Sequence, residues 1–497
     1  MRHAAASDVV VSPQQTEQRI DGFGASSAWT AQALSAADAD LVFSPDKGVG
    51  LSLLRVRMAP DGTCLEVVTA QEAQARGAKV WATPWSPPAA WKTSGNVNDG
   101  GLLPAHADDW ANAMVSFVQY MRSNGVDLVG LSAQNEPDFR CTNYECCSYT
   151  TQELDSFIAG HLGPAFADAG LLDSGTAPFS LIAPETEGWM DFPRFSSAVL
   201  GDTTGSPFVG TFATHEYNGL PAADPQANQA VAAAGKAFWE TEISDTKSVG
   251  ADPGMGSALV VAQLINDALV QANVNAWHYW WLRPNLGTSD NSALWDNTAG
   301  WTKRLYVMGN YSRFVRPGYY RVGATATPNQ NVSVTAFYES PSGTPPLKLV
   351  IVAINGGTSA VTQSFLFNGV TTASDQWAAW VTSAGSDVLS PAPNAPTLAG
   401  AALSYVLAPQ SVTTLTGVVT GPGPAVSFDA GASSASGSPT AVTPVGSAPR
   451  GPPSSGLACS AAGGRLALPR GARGALWTTA LVAALVAARR RSRARAA

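Results

Sequence analysis

The sequence predicts an α/β protein, a (β/α)8 TIM barrel carrying a β-sandwich side domain, and three features of the chain predict it. Short apolar runs alternate with amphipathic stretches of helical period over roughly 290 residues. From about Val315 the period switches to two, with Gly, Pro and Ser between the runs. No glycine-rich phosphate loop follows an early strand, which disfavours a doubly wound open sheet. At 497 residues the chain also exceeds one compact core, so several parts are expected.

Taken in order, residues 1–20 supply a strand, VVVSPQQTEQRI, that completes the side domain. Residues 21–312 form the barrel, opening on IDGFGASSAW, whose glycines suit a tight turn. Buried parallel strands are expected at Leu51–Val56, Lys79–Ala82, Leu128–Ala133, Leu181–Ala183, Gly210–Thr214, Ala237–Glu242 and Ala276–Trp281. Helices are expected at Ala107–Ser123, Thr151–Ala169 and Ser257–Ala272, where apolar residues recur every three or four positions. Residues 313–418 form the sandwich, through SVTAFYES, LKLVIVAIN, TQSFLFNG, DQWAAWVTS and LSYVLAPQSVTTLTG. Residues 419–456, rich in Gly, Pro, Ser and Ala, bury too little apolar surface to order themselves and read as a linker. Residues 457–497 read as a sorting or anchoring tail: Cys459, the apolar run Gly474–Ala488, then RRRSRAR. That run is shorter than the ~20 residues that span a bilayer comfortably.

Composition narrows the function classes. Charged residues are 13%, about half the usual share, so the surface relies on neutral hydrogen-bonding groups, and 15 Trp offer indole faces on which sugar rings stack. The net charge of −8 conceals an asymmetry, because nine of the 29 basic residues lie beyond position 449, leaving 20 against 37 acidic groups in the body. An acidic body argues against a nucleic-acid partner. Cys141, Cys146 and Cys147 cluster, with Cys64 earlier in the same domain, which allows two loop-stapling disulfides. No His stands at zinc-ligand spacing, so a metal site is not expected. Disulfides imply an oxidising compartment, and export to the outside or the cell surface is expected. The opening MRHAAASDVVV shows no secretory signal, so a misplaced start codon is expected.

Two carboxylates carry the chemistry. LVGLSAQNEPDF ends a buried strand at Asn135-Glu136-Pro137, and KAFWETEIS ends another at Glu240-Thr241-Glu242. A carboxylate at the C-terminal end of an apolar strand is costly unless used, and in a barrel that end is the catalytic face. Pro137 turns the chain and presents Glu136. Glu240, two residues before Glu242 and on the same side of the strand, is its rival. Such a pair can hydrolyse a glycosidic bond with retention: one carboxyl protonates the departing oxygen, the other attacks, and the first then deprotonates water. Neither cofactor nor metal is needed.

These motifs resemble glycoside hydrolase family 30. The resemblance runs through QRIDGFGASSAW, LSLLRVRM, KVWATPWSPPAAWKTSG, LSAQNEPDF, THEY, FWETEIS, WHYWW, RFVRPGYYRV and APQSVTTL. It implies a barrel fused to a sandwich, with Glu136 as acid/base and Glu242 as nucleophile. It implies that Arg55 hydrogen-bonds the nucleophile, with Arg57 the rival on the same face, and that Asn135 holds the 2-hydroxyl of the attacked sugar. Trp85, Trp91, His215, Tyr217 and Trp281 would shape the pocket. The tail is similar to the C-terminal sorting tail of many exported myxobacterial proteins, although that tail usually has paired cysteines nearer the apolar run.

NEPDFRCTNYECCSYTTQEL looks like the xylanase branch of the family. Glucuronate-requiring members carry two Arg and a Tyr after the last barrel strand, whereas WWLRPNLG keeps only Arg283, with Pro284 and Leu286 at the other places. An endo-β-1,4-xylanase acting on xylan or glucuronoxylan without a strict uronate requirement is therefore expected. A β-1,6-glucanase or galactanase, a glucosylceramidase-like activity and a non-catalytic polysaccharide-binding surface protein remain the alternatives. The partner expected is a polysaccharide, with a membrane or cell surface reached through the tail; the protein is otherwise expected to be a monomer.

Overall fold

The computed structural model describes residues 3–4, 8–172, 179–221, 225–284, 290–344, 346–372, 376–400, 402–422 and 427–428. The expected tail, with Cys459 and the arginines, and the linker from 429 to 456 lie outside the described residues.

Eight parallel strands close into a barrel in chain order: β1 (Gly22–Ser26), β2 (Leu53–Met58), β3 (Lys79–Pro84), β4 (Leu128–Ser132), β5 (Ser180–Thr186), β6 (Val209–Thr214), β7 (Ala237–Glu240) and β8 (Ala276–Trp281). The pattern of β2 shows why these segments are strands. Leu54, Val56 and Met58 face the surrounding helices and join the large apolar core. Leu53 faces inward and packs with Trp81, Ile182, Ala213, Trp239 and Ala276 at the base of the lumen, with Arg55 and Arg57 following at steps of two toward the mouth.

One strand was not expected. Gly22–Ser26 reads as a turn in sequence, yet it closes the barrel between β8 and β2. Its small residues are a consequence of crowding: a Cβ on Gly24 would lie 2.6 Å from the His278 ring and 2.7 Å from the Leu53 carbonyl.

The helices follow their apolar periods. Ala107–Ser123 is helical at the expected bounds and buries Trp110, Met114, Phe117 and Met121 on one face. The next begins with a Thr150–Glu153 capping box and continues to Asp168 through one wide turn at Ile158–Leu162. Met255–Asp267 extends through a similar turn to Ala272 and stops at Asn273, whose φ is 55°. It is apolar nearly all round because the barrel lies on one side and the side-domain sheet on the other.

The side domain is one hydrogen-bonded sheet of ten strands. Val9–Arg19 stands within it, antiparallel to Tyr320–Ala324 and parallel to Val361–Phe367. Its two halves meet across a core of Val9, Val322, Ile351, Phe365, Phe367, Leu403 and Leu415. In Leu347–Asn355, Leu349, Ile351 and Ala353 enter that core while Val350, Val352 and Ile354 join the barrel's apolar layer. The last long strand runs on to Pro422, past the 418/419 boundary at which the linker was expected to begin.

Candidate active site

Three carboxylates converge at the C-terminal mouth of the barrel. Beyond β4 the chain stays tied to its neighbours: the Asn135 N–H donates to Pro84 O and the Glu136 N–H to Glu185 O, each at 3.0 Å. Glu136 and Glu185 both adopt left-handed backbone, with φ of 46° and 59°, a strain that persists only where surrounding contacts enforce it. Beyond β7, the Thr241 N–H donates to Thr214 O at 3.0 Å and Glu242 O accepts from the Glu216 N–H at 3.1 Å. This holds Glu242 opposite Glu136.

One carboxylate oxygen of each, with a ring nitrogen of His215, lie within 4.8 Å of one another. So close an approach of the two carboxylates is in keeping with direct attack by one of them, for which the carboxyl groups stand about 5–5.5 Å apart. A metal ion would have to displace the site's own cations, because Arg55 bonds Glu242 and His215 faces all three carboxylates.

Arg55 is fully buried and organises the mouth. It donates to Glu242, to Asn135 Oδ1 at 2.6 Å and to Thr83 Oγ1 at 3.1 Å, and pairs with Glu185 at 2.8 Å. Its guanidinium lies 4.5 Å from the Trp85 ring centroid. His215 Nδ1 is 3.1 Å from Glu136 and Nε2 is 3.5 Å from Glu185. Burial opposes a charge on this imidazole, but Glu242, Glu136 and Glu185 outweigh it and push its pKa up to about 10. Burial likewise works to raise Glu185, and Arg55 and His215 outweigh it, holding that carboxyl below its usual range. Glu242 is raised by burial, and His215 and Arg55 pull against that rise. With a permanent cation bonded to it, its ionised form is the one the pair favours.

The residues expected at the site divide into two groups. Glu136, Glu242, Arg55, Asn135, His215, Tyr217 and Trp85 come together; the Tyr217 hydroxyl donates to Glu242 at 3.0 Å. Asn135 Nδ2 is buried with no partner among the described residues. Trp91 turns away: its ring stacks on His106 at 5.7 Å and meets Trp110 edge-on. Trp281 also lies off the site, donating to Ala28 O at 3.1 Å. Strand parity explains this, since His278 points into the lumen against Trp81 and Trp239, so the residue two further on, Trp280, faces the mouth. Trp280, Trp29 and Trp85 form one aromatic wall, with centroids 4.8–5.9 Å apart. Arg57, the rival of Arg55, pairs instead with Glu145 at 2.8 Å. Glu240 is buried, accepts the backbone N–H of Glu242 and of His278, each at 2.9 Å, and is driven well above the usual carboxylate range by burial and by Glu216.

Besides Trp29 and Trp280, two polar contributors went unread. Glu185 is the penultimate residue of β5, in LIAPET, and obeys the strand-end rule that picked out Glu136. The Tyr144 hydroxyl donates to Glu136 Oε2 at 3.1 Å from a loop stapled by a Cys141–Cys146 disulfide. Burial and the charges of Glu136 and Glu242 push that hydroxyl upward, so it remains a donor. Only this one disulfide forms among the described cysteines; Cys64 and Cys147 are buried free thiols, Cys64 lying 3.1 Å from Glu66.

A parallel barrel with paired carboxylates facing each other at its C-terminal mouth defines a retaining glycoside hydrolase. Residues 64–288 match the glycosyl hydrolase family 30 TIM-barrel domain. The chain is 33% identical over 424 residues to glucuronoxylanase XynC of Bacillus subtilis (strain 168), covering 82% of this chain and 92% of that relative. It is 25% identical over 320 residues to the lysosomal acid glucosylceramidase of Mus musculus, covering 58% of each. Among solved structures it is similar to the family 30 subfamily 8 xylanase Xyn30A of Clostridium acetobutylicum, with TM-score 0.71, 33% identity, and 83% and 100% of the two chains covered. It is also similar to a family 30 endoxylanase of Clostridium papyrosolvens, with TM-score 0.67, 31% identity and the same coverage. The chain belongs to glycosyl hydrolase family 30.

Proposed function

We propose that the protein is an endo-β-1,4-xylanase in which Glu136 is the acid/base and Glu242 the nucleophile. The observation that carries the roles is the facing pair of carboxylates, only one of which is bonded to Arg55. Glu242, ionised by that bond, attacks the anomeric carbon while Glu136 gives its proton to the departing oxygen. A glycosyl ester forms on Glu242, and the loss of its charge lets Glu136 take a proton from the incoming water. The free Nδ2 of Asn135 is suited to the 2-hydroxyl, an interaction that strengthens as the ring approaches an oxocarbenium ion. Glu240, tied to two backbone N–H groups, supports the nucleophile strand rather than replacing Glu242.

Xylan is favoured because the relatives and solved structures at 31–33% identity are glucuronoxylanases and xylanases. A requirement for the uronate is disfavoured because Arg283 is already engaged, 3.2 Å from Asp38 and 4.1 Å from the Trp295 ring; Leu286 lies outside the described residues. Export fits the Cys141–Cys146 disulfide.

The test is reducing-end release on xylan, glucuronoxylan, β-1,6-glucan and arabinogalactan, with Glu136→Gln as control. A ladder of xylo-oligosaccharides from both xylans supports the reading. Products that all carry a uronate at one fixed place contradict the reading of Arg283, and cleavage of the β-1,6-linked chains alone contradicts the substrate.

A further inference from the structure

We infer that Glu185 is a positioning residue for this reaction: a permanent anion, never itself bonded to substrate, that fixes the charge of the buried cluster so that Glu136 holds its proton before attack and releases it afterwards. The inference rests on the roles given above to Glu136 and Glu242.

The observations are geometric. Glu185 is completely buried, reaches Arg55 at 2.8 Å and His215 at 3.5 Å, and its backbone carbonyl accepts the N–H of Glu136 at 3.0 Å. It therefore touches the cation that holds the nucleophile, the cation that faces the acid, and the main chain of the acid itself. Thr83 Oγ1, at 3.3 Å, and the Ser132 hydroxyl complete its surroundings.

With the roles given above, the charges balance. Arg55 and the imidazolium of His215, which bonds Glu136 through Nδ1 and faces Glu185 through Nε2, supply two positive charges. Glu185 and Glu242 supply two negative ones, and Glu136 is neutral with its proton. On attack, the glycosidic C–O bond breaks, the Glu242 oxygen bonds to the anomeric carbon, and the proton of Glu136 goes to the departing oxygen. Glu242 is now a neutral ester and Glu136 an anion, so the cluster is again balanced. Water reverses both changes. A buried site of low dielectric penalises any step that changes its net charge, and this arrangement changes none.

Most of the other titratable neighbours are neutral in weak acid. Glu240 is driven upward by burial, and Glu216 likewise, to about 8, so both stay neutral in weak acid. His278 is pushed down to about 4 by burial and is also neutral. Asp138 and Glu187 stand on the Glu136 side, raised by burial to about 6 and about 7, and both are kept in every variant below. Tyr144 and Tyr217 remain uncharged donors.

The experiment is the pH dependence of kcat/KM for Glu185→Gln, His215→Asn and the double variant, on the polysaccharide the wild type cleaves in the assay above. The alkaline limb reports loss of the proton that Glu136 must give. Removing the anion leaves a surplus positive charge, so in Glu185→Gln this limb moves to lower pH by about one to two units. Removing the cation in His215→Asn moves it to higher pH, and the double variant returns it toward the wild-type position. A limb that stays in place in Glu185→Gln, or moves the same way in both single variants, overturns the inference. Should Glu185→Gln fail to fold, Glu185→Asp keeps the charge and is expected to show the wild-type limb with reduced kcat, while an unmoved limb in His215→Asn overturns the inference. Full activity in Glu136→Gln would instead remove the assignment of the acid/base, a distinct failure.

Discussion

The strands Leu53–Met58 and Leu347–Asn355 are both buried on their two faces, and they differ in what they bury. The side-domain strand sends only apolar side chains from 349 to 354 into its own core and the barrel's. The barrel strand sends Arg55 and Arg57 toward the mouth, where each charge is held by partners contributed by other strand ends and loops. The contrast separates two kinds of dependence. In the sheet, each residue contributes stability nearly by itself; at the mouth, the cost of burying one charge is offset by another, so removing one leaves its partner uncompensated.

If that separation is right, the largest effects fall on activity. Glu136→Gln should lower kcat by about 10²–10⁴-fold, with thermal unfolding close to wild type, and Glu242→Gln should leave no detectable turnover. A large fall in melting temperature in Glu136→Gln would mean that the acid/base also holds the fold, whereas some loss is expected in Glu242→Gln, where Arg55 loses a partner.

Arg55→Met should show both effects, because Glu185 and Glu242 lose their common partner. Urea denaturation is expected to report a loss of about 3–5 kcal/mol together with loss of activity. Ile351→Ala is the counterpart in the sheet: a loss of about 2–5 kcal/mol with kcat/KM unchanged. Equal damage to activity in Ile351→Ala would collapse the comparison.

A pH series sharpens it further. The folded pKa of His215 lies near 10, above its ordinary 6.5, so its ion pairs stabilise fully below about pH 6.5 and that contribution is lost as pH rises toward 10. The wild type should therefore lose a few kcal/mol over this window, and His215→Asn should flatten the slope above pH 8, measured as the urea midpoint.

Smaller effects are expected at the rim. Tyr144→Phe removes one hydrogen bond to Glu136 and should lower kcat by about tenfold, as should opening the Cys141–Cys146 loop by Cys→Ser replacement. Trp280→Ala should raise KM several-fold, whereas Trp281→Ala should affect stability more than KM; the reverse order would contradict the strand parity argued for β8.

Much of this was legible in the chain. The helix Ala107–Ser123 and the sheet from Val332 onward follow from period alone, because in each the buried face is set by local alternation. Glu136 and Glu242 were legible because an acid ending an apolar strand conflicts with its surroundings. Gly22–Ser26 was not, since its small residues reflect His278 and Leu53 crowding it from elsewhere in the chain. Glu185 was hidden for a related reason: its partners Arg55 and His215 are distant in sequence and meet it only when the barrel closes. Trp280 was hidden too, because the lumen side of β8 is fixed by His278, whose packing on Trp81 and Trp239 is tertiary.

The most direct test of the paired-carboxylate account is to trap the ester. A 2-deoxy-2-fluoro xylobioside with an activated leaving group should inactivate the enzyme, and mass spectrometry of the digested protein should place one sugar on Glu242. A label on Glu240 or Glu185, or continued hydrolysis with no label on any carboxylate, would contradict it.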